Sequence, residues 1–418
     1  MLEIRELKPT DIDQYVDNYL NAYPAFKALD DTCREEHKQR NLRNMQLPDV
    51  DYIGLFDGSV LVASMKLVHF QMNLYGTMVP ALGLMSLAVH PLQKKKGHAL
   101  KMMKYYEAKA AEAGESVAPL LPFNITFYRM MGYGLGSKRA RYHLPTGNLP
   151  KHELTRELRF LGKDDFDAMI ACYDIAAEKT HGMIRKTCEE LGDMRADTVT
   201  RRLGAYDKEN MTGYMAYHFE EASDNNFTQN RIVVDEMIYH DSETLLNFLG
   251  YLRRQADLVQ SVVLTSGEEN FYHILSDPQD VSMEYLPYGY LQVSREFIGY
   301  MYKIVDYPEF FKATANRPTG KEQMIVRIEY MDEFAKEGRV ISLCVGGENG
   351  GWRLALEDQT PDITLKCNES NLNAWLMNGA RLMALVEIGA IQADDADAAR
   401  RLDSILYYSQ KPYSNTDF

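Results

Sequence analysis

Two stretches of this chain carry a closely similar succession of periodicities: strand, helix, helix, then two or three strands, helix, strand. That repetition restricts the fold more than any single motif does. Strands and helices interleaved in this way build mixed twisted sheets flanked by helices, so the expected class is α+β with two related units in tandem. In the first copy Leu2, Ile4 and Leu7 lie near a period of two, and Thr10-Asp11 leads into Ile12, Tyr15, Val16 and Tyr19 on one helical face. A polar helix from about Cys33 to Met45 follows, then a strand, Tyr52 to Phe56, that turns at Asp57-Gly58, a pair suited to a tight hairpin. Val60 to Leu74 and Met78 to Val89 continue as long strands, and a helix of roughly 95 to 113 closes near Gly114. A strand around Val117 to Leu121, a helical turn near Ile125 to Met131 and a last strand near Arg139 to Leu144 complete the copy, and Pro145, Gly147 and Pro150 mark a linker.

The second copy is fainter. It has a strand at Leu158 to Leu161, two polar helices reaching about Gly204, and a strand at Thr212 to Phe219. After the polar loop Ala222 to Asn230 come a strand (Arg231 to Tyr239), a helix (Glu243 to Gln255) and a strand (Ser261 to Thr265). From about Gly299 the pattern changes to strands at Gln323 to Ile328, Arg339 to Val345, Trp352 to Leu356 and Ile363 to Cys367, followed by helices at about 370 to 385 and 393 to 406. The glycine-rich run Gly346 to Gly351 opens a strand and lacks the following Lys-Ser/Thr of a phosphate loop, so it reads as a hairpin turn. The expected domains are therefore 1–148, 149–298 and 299–418.

Charge and composition exclude several classes of function. With 46 Lys and Arg against 60 Asp and Glu the net charge is −14, which argues against nucleic acid as a partner. The longest apolar candidate, Val79 to Val89, is too short to span a bilayer, and the alternating start Met1 to Glu6 reads as a strand rather than a signal peptide, so a cytoplasmic protein without a membrane span is expected. Five widely spaced cysteines with no C-x-x-C pair suggest neither a disulfide framework nor zinc, and His152-Glu153 lacks the second histidine of a helical metal site, so no metal is expected.

The chemistry is concentrated in Leu87-Ala88-Val89-His90-Pro91-Leu92-Gln93-Lys94-Lys95-Lys96-Gly97-His98-Ala99-Leu100, an apolar strand, a bend, a basic run and then Gly-x-Ala opening a helix. The first N–H groups of a helix have no intrahelical partners and sit at the positive end of its dipole, so they can hold a diphosphate. Gly97 lets the backbone approach, and Ala99 keeps the helix wall thin. Lysines there oppose the dipole, an arrangement that a bound anion would repair. In the second copy the corresponding position reads His240-Asp241-Ser242-Glu243, with neither basic run nor glycine, and no anion is expected there.

At these residues the sequence resembles the GNAT acetyltransferase superfamily, whose acetyl-CoA loop reads Arg/Gln-x-x-Gly-x-Gly/Ala; here it is Lys94-x-x-Gly97-x-Ala99, with lysine in the first place. The stretch Leu121-Pro122-Phe123-Asn124-Ile125-Thr126-Phe127-Tyr128-Arg129-Met130-Met131-Gly132-Tyr133-Gly134, the duplication and the C-terminal module narrow the resemblance, over the whole chain, to the enhanced intracellular survival (Eis) family. That resemblance implies two GNAT folds, the second without a working cofactor loop, a sterol-carrier-like C-terminal domain and a homohexamer. It implies acetylation of amines on cationic substrates such as aminoglycosides, with acetyl-CoA as co-substrate. Leu87, Ala88 and Val89 would then bind the pantetheine arm, and Lys94, Lys95, Lys96, Gly97, His98, Ala99 and Leu100 the diphosphate. Asn124 would lie near the arm. Tyr128 matches the family's general acid, a role that suits a phenol, protonated at neutral pH with a pKa of about 10. The family's base is its terminal carboxylate, here that of Phe418.

Asp30, Asp31 and Asp417 are candidate contacts for a cationic acceptor; the other reading of Asp30 and Asp31 is a helix N-cap before Cys33. Two alternatives are acetylation of protein lysines and a non-enzymatic lipid carrier, which would need an apolar tunnel lined by residues such as Trp375, Leu376, Leu382 and Leu385.

Overall fold

A computed structural model of the chain describes residues 1–23, 25–26, 30–223, 225–226, 229–282, 291–348, 350–356 and 359–416. The first copy consists of β1 (Leu2–Glu6), α1 (Ile12–Ala22), α2 (Asp31–Asn44), β2 (Val50–Asp57), β3 (Val60–Leu74), β4 (Thr77–Val89), α3 (His98–Glu112), β5 (Val117–Leu120), α4 (Ile125–Arg129) and β6 (Gly134–Leu135). The second runs through β7 (Lys138–Pro145), β8 (Glu157–Phe160), α5 (Phe166–Lys179), α6 (Cys188–Ala196), β9 (Arg201–Asp207), β10 (Asn210–Glu221), β11 (Asn230–Tyr239), α7 (Ser242–Arg253), β12 (Val259–Ser266) and β13 (Arg295–Ile298). The remainder holds β14 (Met301–Ile304), α8 (Tyr307–Ala313), β15 (Met324–Asp332), β16 (Glu337–Val345), β17 (Trp352–Leu354), β18 (Ile363–Asn368), α9 (Glu369–Leu376), α10 (Leu382–Glu387), β19 (Ile391–Ala393) and α11 (Ala396–Ile405).

Among the described residues three sheets result, in the orders β1-β2-β3-β4-β5-β14-β6, β13-β7-β12-β11-β10-β9-β8 and β17-β16-β15-β18-β19. By internal contacts the chain forms two units, one of residues 1–136, 184–192 and 300–418, the other of 137–183 and 193–299. These differ from the boundaries expected at 148 and 298, because two strands serve sheets other than their sequence neighbours'. The strand expected to finish the first copy, β7, pairs antiparallel with β12 from Ser261↔Pro145 to Ser266↔Ala140. Its place in the first sheet is taken by β14, antiparallel to both β5 (Met301↔Leu120) and β6 (Tyr302↔Gly134). The first and third sheets therefore share one unit.

Within that unit α3 packs Met102, Met103, Tyr106 and Ala110 against Leu67, Leu82, Leu84 and Ala118 of the first sheet, all buried. Helix α3 ends as a Schellman turn at Gly114, φ 74°, where Glu115 N–H reaches Ala110 O at 2.9 Å. A second cluster joins the β3–β4 hairpin end (Phe70, Leu74, Val79) to the third sheet and its helices. In the other unit, the helical reading up to Gly204 fails: Arg201–Asp207 is a strand with Leu203 and Ala205 in the core. The helix expected from 370 to 385 is two helices, α9 and α10, with Asn378 at φ 57° between them.

Candidate active site

Strand β4 makes the site. Against β3 it runs Ala63↔Val89 and Ser64↔Ala88 and then Lys66↔Met85, so Ser86 and Leu87 together face the single residue Met65. This is a β-bulge, and Ser86 sits in the left-handed region at φ 52°. On its other edge β4 pairs with parallel β5 at Leu84↔Leu120 alone. Past that point β5 ends, and this edge of β4 from Met85 to Val89, the slot between the two strands, has no ladder partner among the described residues.

The slot leads to the start of α3. After the turn Pro91–Gln93, Lys95 takes φ 63°, and Gly97, the N-cap of α3, takes φ 81°. Among the described residues the backbone N–H groups of Lys94 to Leu100 find no acceptor, and the first bonded one is Lys101 N–H, at 3.0 Å from Gly97 O. No side chain caps α3, no acid lies in its first turn, and the space a Gly97 Cβ would fill is open. Lys94, Lys95 and Lys96 are exposed, with Lys96 Nζ on Gln93 Oε1 at 2.7 Å. Leu100 is also exposed, Ala99 is half-buried, and His98 is buried and held below its ordinary pKa by that burial and by Lys96. An array of unsatisfied donors, a glycine and three exposed lysines fits the diphosphate of acetyl-CoA. The other unit is built the opposite way at the start of α7: Asp241 Oδ1 accepts from Thr244 N–H at 2.7 Å, and its other oxygen pairs with Arg156 at 3.3 Å. A carboxylate stands where an anion would have to bind.

Tyr128 packs beside the slot in one cluster with Leu84, Leu87 and Leu120. It is 2 % exposed, with the rings of Phe123, Phe127 and Tyr133 edge-on at 5.5, 5.2 and 5.8 Å. Its hydroxyl has no hydrogen-bond partner among the described residues. Burial first, and then the nearby Tyr23, push its pKa well above the ordinary phenol value, so it stays protonated. Asn124 is the N-cap of α4, its Oδ1 accepting from Phe127 N–H at 3.0 Å.

Sequence reasoning missed three neighbours. Tyr23 donates its hydroxyl to Leu87 O at 3.0 Å and is pushed up to about 12 by burial. Asn18 Nδ2 bridges Ser64 Oγ at 2.9 Å and Ala88 O at 3.3 Å, bracing the strand next to the bulge. Lys66, opposite Met85 and 4 % exposed, pairs with Glu189, which also takes Arg40 at 3.2 Å. Tyr23 and Asn18 carried a weak signal as members of a helical face with Tyr15 and Tyr19; Glu189, more than a hundred residues away, carried none.

Of the expected acceptor contacts, Asp30 caps α2, its Oδ1 accepting from Cys33 N–H at 3.1 Å, and Asp31 begins that helix, both exposed. Asp417 and Phe418 lie outside the described residues. The chain just before them is fixed: Thr416 is fully buried, its hydroxyl 3.3 Å from Ile184 O, its carbonyl accepting from Tyr300 Oη, and Ser414 Oγ accepts from Ile184 N–H at 3.2 Å. The five cysteines are free thiols, no metal-ligating cluster occurs among the described residues, and no described helix is long and apolar enough to cross a membrane.

Residues 3–136 and 180–293 each match a model of a GNAT acetyltransferase domain. No curated protein sequence matches the chain. Among solved structures it is similar to a GCN5-related N-acetyltransferase from Anabaena variabilis (TM-score 0.79, 14 % identity, 100 % of both chains covered). It is also similar to Eis1 from Mycobacterium abscessus (TM-score 0.76, 19 % identity, 100 % of both chains) and to a probable N-acyltransferase from Enterococcus faecalis (TM-score 0.79, 17 % identity, 98 % of both). With a helix start at Gly97 that no side chain caps in the first domain and a capped one in the second, the chain is a GNAT-type acyltransferase with two acetyltransferase domains in tandem and a third, C-terminal sheet.

Proposed function

We propose that the chain transfers the acetyl group of acetyl-CoA to an amine of a cationic small molecule, by direct attack within the β4–β5 slot. The observation that carries this reading is the slot itself, with an unsatisfied N–H array at one end and a protonated, unbonded Tyr128 hydroxyl along its wall. Lys94, Lys95, Lys96, Gly97, His98, Ala99 and Leu100 hold the diphosphate. The backbone of Leu87, Ala88 and Val89 holds the pantetheine arm, with Asn124 near it, and a backbone N–H there meets the charge that develops on the carbonyl oxygen. Bound acetyl-CoA supplies the activated thioester. Tyr128 gives its proton to the departing thiolate, and the α-carboxylate of Phe418 takes a proton from the attacking amine, through water. Thr416, two residues before it in the chain, is fully buried. An α-carboxyl of pKa about 3.5 is a weak base, so position and desolvation must supply much of its strength.

The net charge of −14 draws a cationic acceptor, with Asp30, Asp31 and Asp417 as its local contacts. The second GNAT domain serves as scaffold, the third sheet as a sterol-carrier-like module that seats the C-terminus, and the assembly as a homohexamer. Trp375, Leu376, Leu382 and Leu385, the residues the carrier alternative would set along a tunnel, are 4, 0, 1 and 8 % exposed and belong to one hydrophobic core cluster.

The test is thiol release from acetyl-CoA with a panel of polyamines, aminoglycosides and a lysine peptide, on the native chain and on one extended beyond Phe418. Turnover of small polyamines that disappears on extension is expected. Unchanged turnover on extension removes the carboxylate, and preference for the peptide removes the small-molecule acceptor.

A further inference from the structure

Helix α4, which carries Tyr128, has five residues, too few to hold its own geometry. The turn that follows it is gripped from elsewhere. Three consecutive carbonyls, those of Met131, Gly132 and Tyr133, each accept a hydrogen bond from a buried side chain of the C-terminal third. The donors are Lys303 Nζ at 2.8 Å, Asn373 Nδ2 at 2.9 Å and Ser370 Oγ at 2.8 Å. They are 5, 0 and 3 % exposed. Each is itself fixed. Lys303 stands on β14 and pairs with Glu107 of α3 at 2.9 Å, so one ammonium ties the cofactor helix to the Tyr128 turn. Asn373 Oδ1 accepts from Ile304 N–H at 3.3 Å and Tyr307 Oη at 3.2 Å, which sets the direction of its amide.

The backbone is also pressed against α9. A Cβ on Gly134 would stand 2.2 Å from Ala374 N, and one on Gly132, already at φ 88°, would stand 2.1 Å from Glu369 Oε2. Carbonyls in the turn after a short helix are ordinarily left to water. Here they are satisfied one by one from β14 and α9, 172 to 241 residues further along the chain.

We infer that Ser370, Asn373 and Lys303 are positioning residues for Tyr128, and that the C-terminal third therefore sets the aim of the general acid as well as seating the C-terminus. This rests on Tyr128 being the acid. A phenol must come within hydrogen-bond reach of the leaving sulfur, and a misplacement of about 1 Å costs about 100-fold in rate.

The experiment is a double-mutant cycle in the full-length chain with acetyl-CoA and the best amine of the panel. Ser370→Ala removes one of the three bonds with the smallest change of volume. It is expected to lower kcat about tenfold while KM for acetyl-CoA stays within about twofold, and to add less than about twofold in the Tyr128→Phe background. Ile328→Val, a core trim in the third sheet, is expected to leave kcat unchanged. Should Ser370→Ala not fold, the pair Lys303→Met with Glu107→Gln takes its place, and Lys303→Arg, which keeps a donor, is expected to restore kcat. An equal loss in the presence and absence of Tyr128, or an unaltered kcat in a folded variant, overturns the positioning role and leaves the acid standing. A harmless Tyr128→Phe overturns the acid and the positioning role with it.

Discussion

Glu369 offers a quantitative check on how the first and third sheets are joined. Its carboxyl is 4 % exposed, 3.6 Å from Lys303, which is too long for a hydrogen bond, and it shares that one cation with Glu107. Burial is the dominant influence; Lys303 pulls the other way, while Asp332 and Glu107 reinforce burial, and the pKa rises to about 7. The folded protein thus keeps a proton that the unfolded chain, with a carboxyl near 4.5, releases earlier. Stability contributed by the neutral form is complete below about 4.5 and is lost as pH rises through about 7. A gap of that size corresponds to about 3 kcal/mol across the window. Glu369→Gln removes the titration and keeps the shape. Thermal unfolding of both proteins in steps from pH 4.5 to 8 is the assay, because their difference cancels every group they share. The variant is expected to gain on the native chain by a few degrees in Tm over that range, with the gain levelling above pH 8. A difference independent of pH would refute the placement of Glu369 as a buried, half-compensated carboxylate.

Three further outcomes follow from the site. Gly97→Ala puts a methyl into open space at φ 81°, so it should cost only about 1–2 kcal/mol of stability yet raise KM for acetyl-CoA about tenfold, measured by thiol release. Tyr23→Phe deletes the hydroxyl that braces Leu87 O at 3.0 Å, and should lower kcat several-fold with a stability loss of about 1 kcal/mol, read from kinetics and denaturant melts together. Because burial raises the Tyr128 pKa, the rate should climb with pH as the amine loses its proton and show no acid-group downturn up to about pH 10; a downturn near pH 8 in a pH–rate profile would contradict that.

The parts of the fold that were legible in the sequence are those decided locally. Gly58 turns the hairpin into β3, one residue past the start of the expected Asp57-Gly58 pair, Gly114 stops α3, and the strand–lysine–glycine–helix order at Leu87 to Leu100 puts Gly97 at the start of α3, because turn chemistry and helix starts depend on a few adjacent residues. The strand Arg201–Asp207 was also within reach, since Leu203 and Ala205 alternate toward the core ahead of a turn at Lys208. So was the break at Asn378-Gly379, a turn pair inside an otherwise helical pattern. The exchange of strands was not. Nothing in Met301 to Ile304 distinguishes a strand that will lie between β5 and β6 from one in its own module, because that choice is made by contacts between distant segments. The same holds for the site. Gly97 and Tyr128 stand in local motifs, whereas Glu189 against Lys66, and Ser370 and Asn373 against the Tyr128 turn, are set only when remote elements pack.

Most directly, acetyl-CoA and S-acetylpantetheine, which lacks the diphosphate, can be titrated calorimetrically into the native chain and into Gly97→Ala. The cradle at the start of α3 predicts that the native chain binds acetyl-CoA about 100-fold more tightly than the truncated thioester, and that the variant loses most of that preference. Equal affinities for the two ligands on the native chain would contradict a diphosphate held by Gly97 and its neighbouring amides.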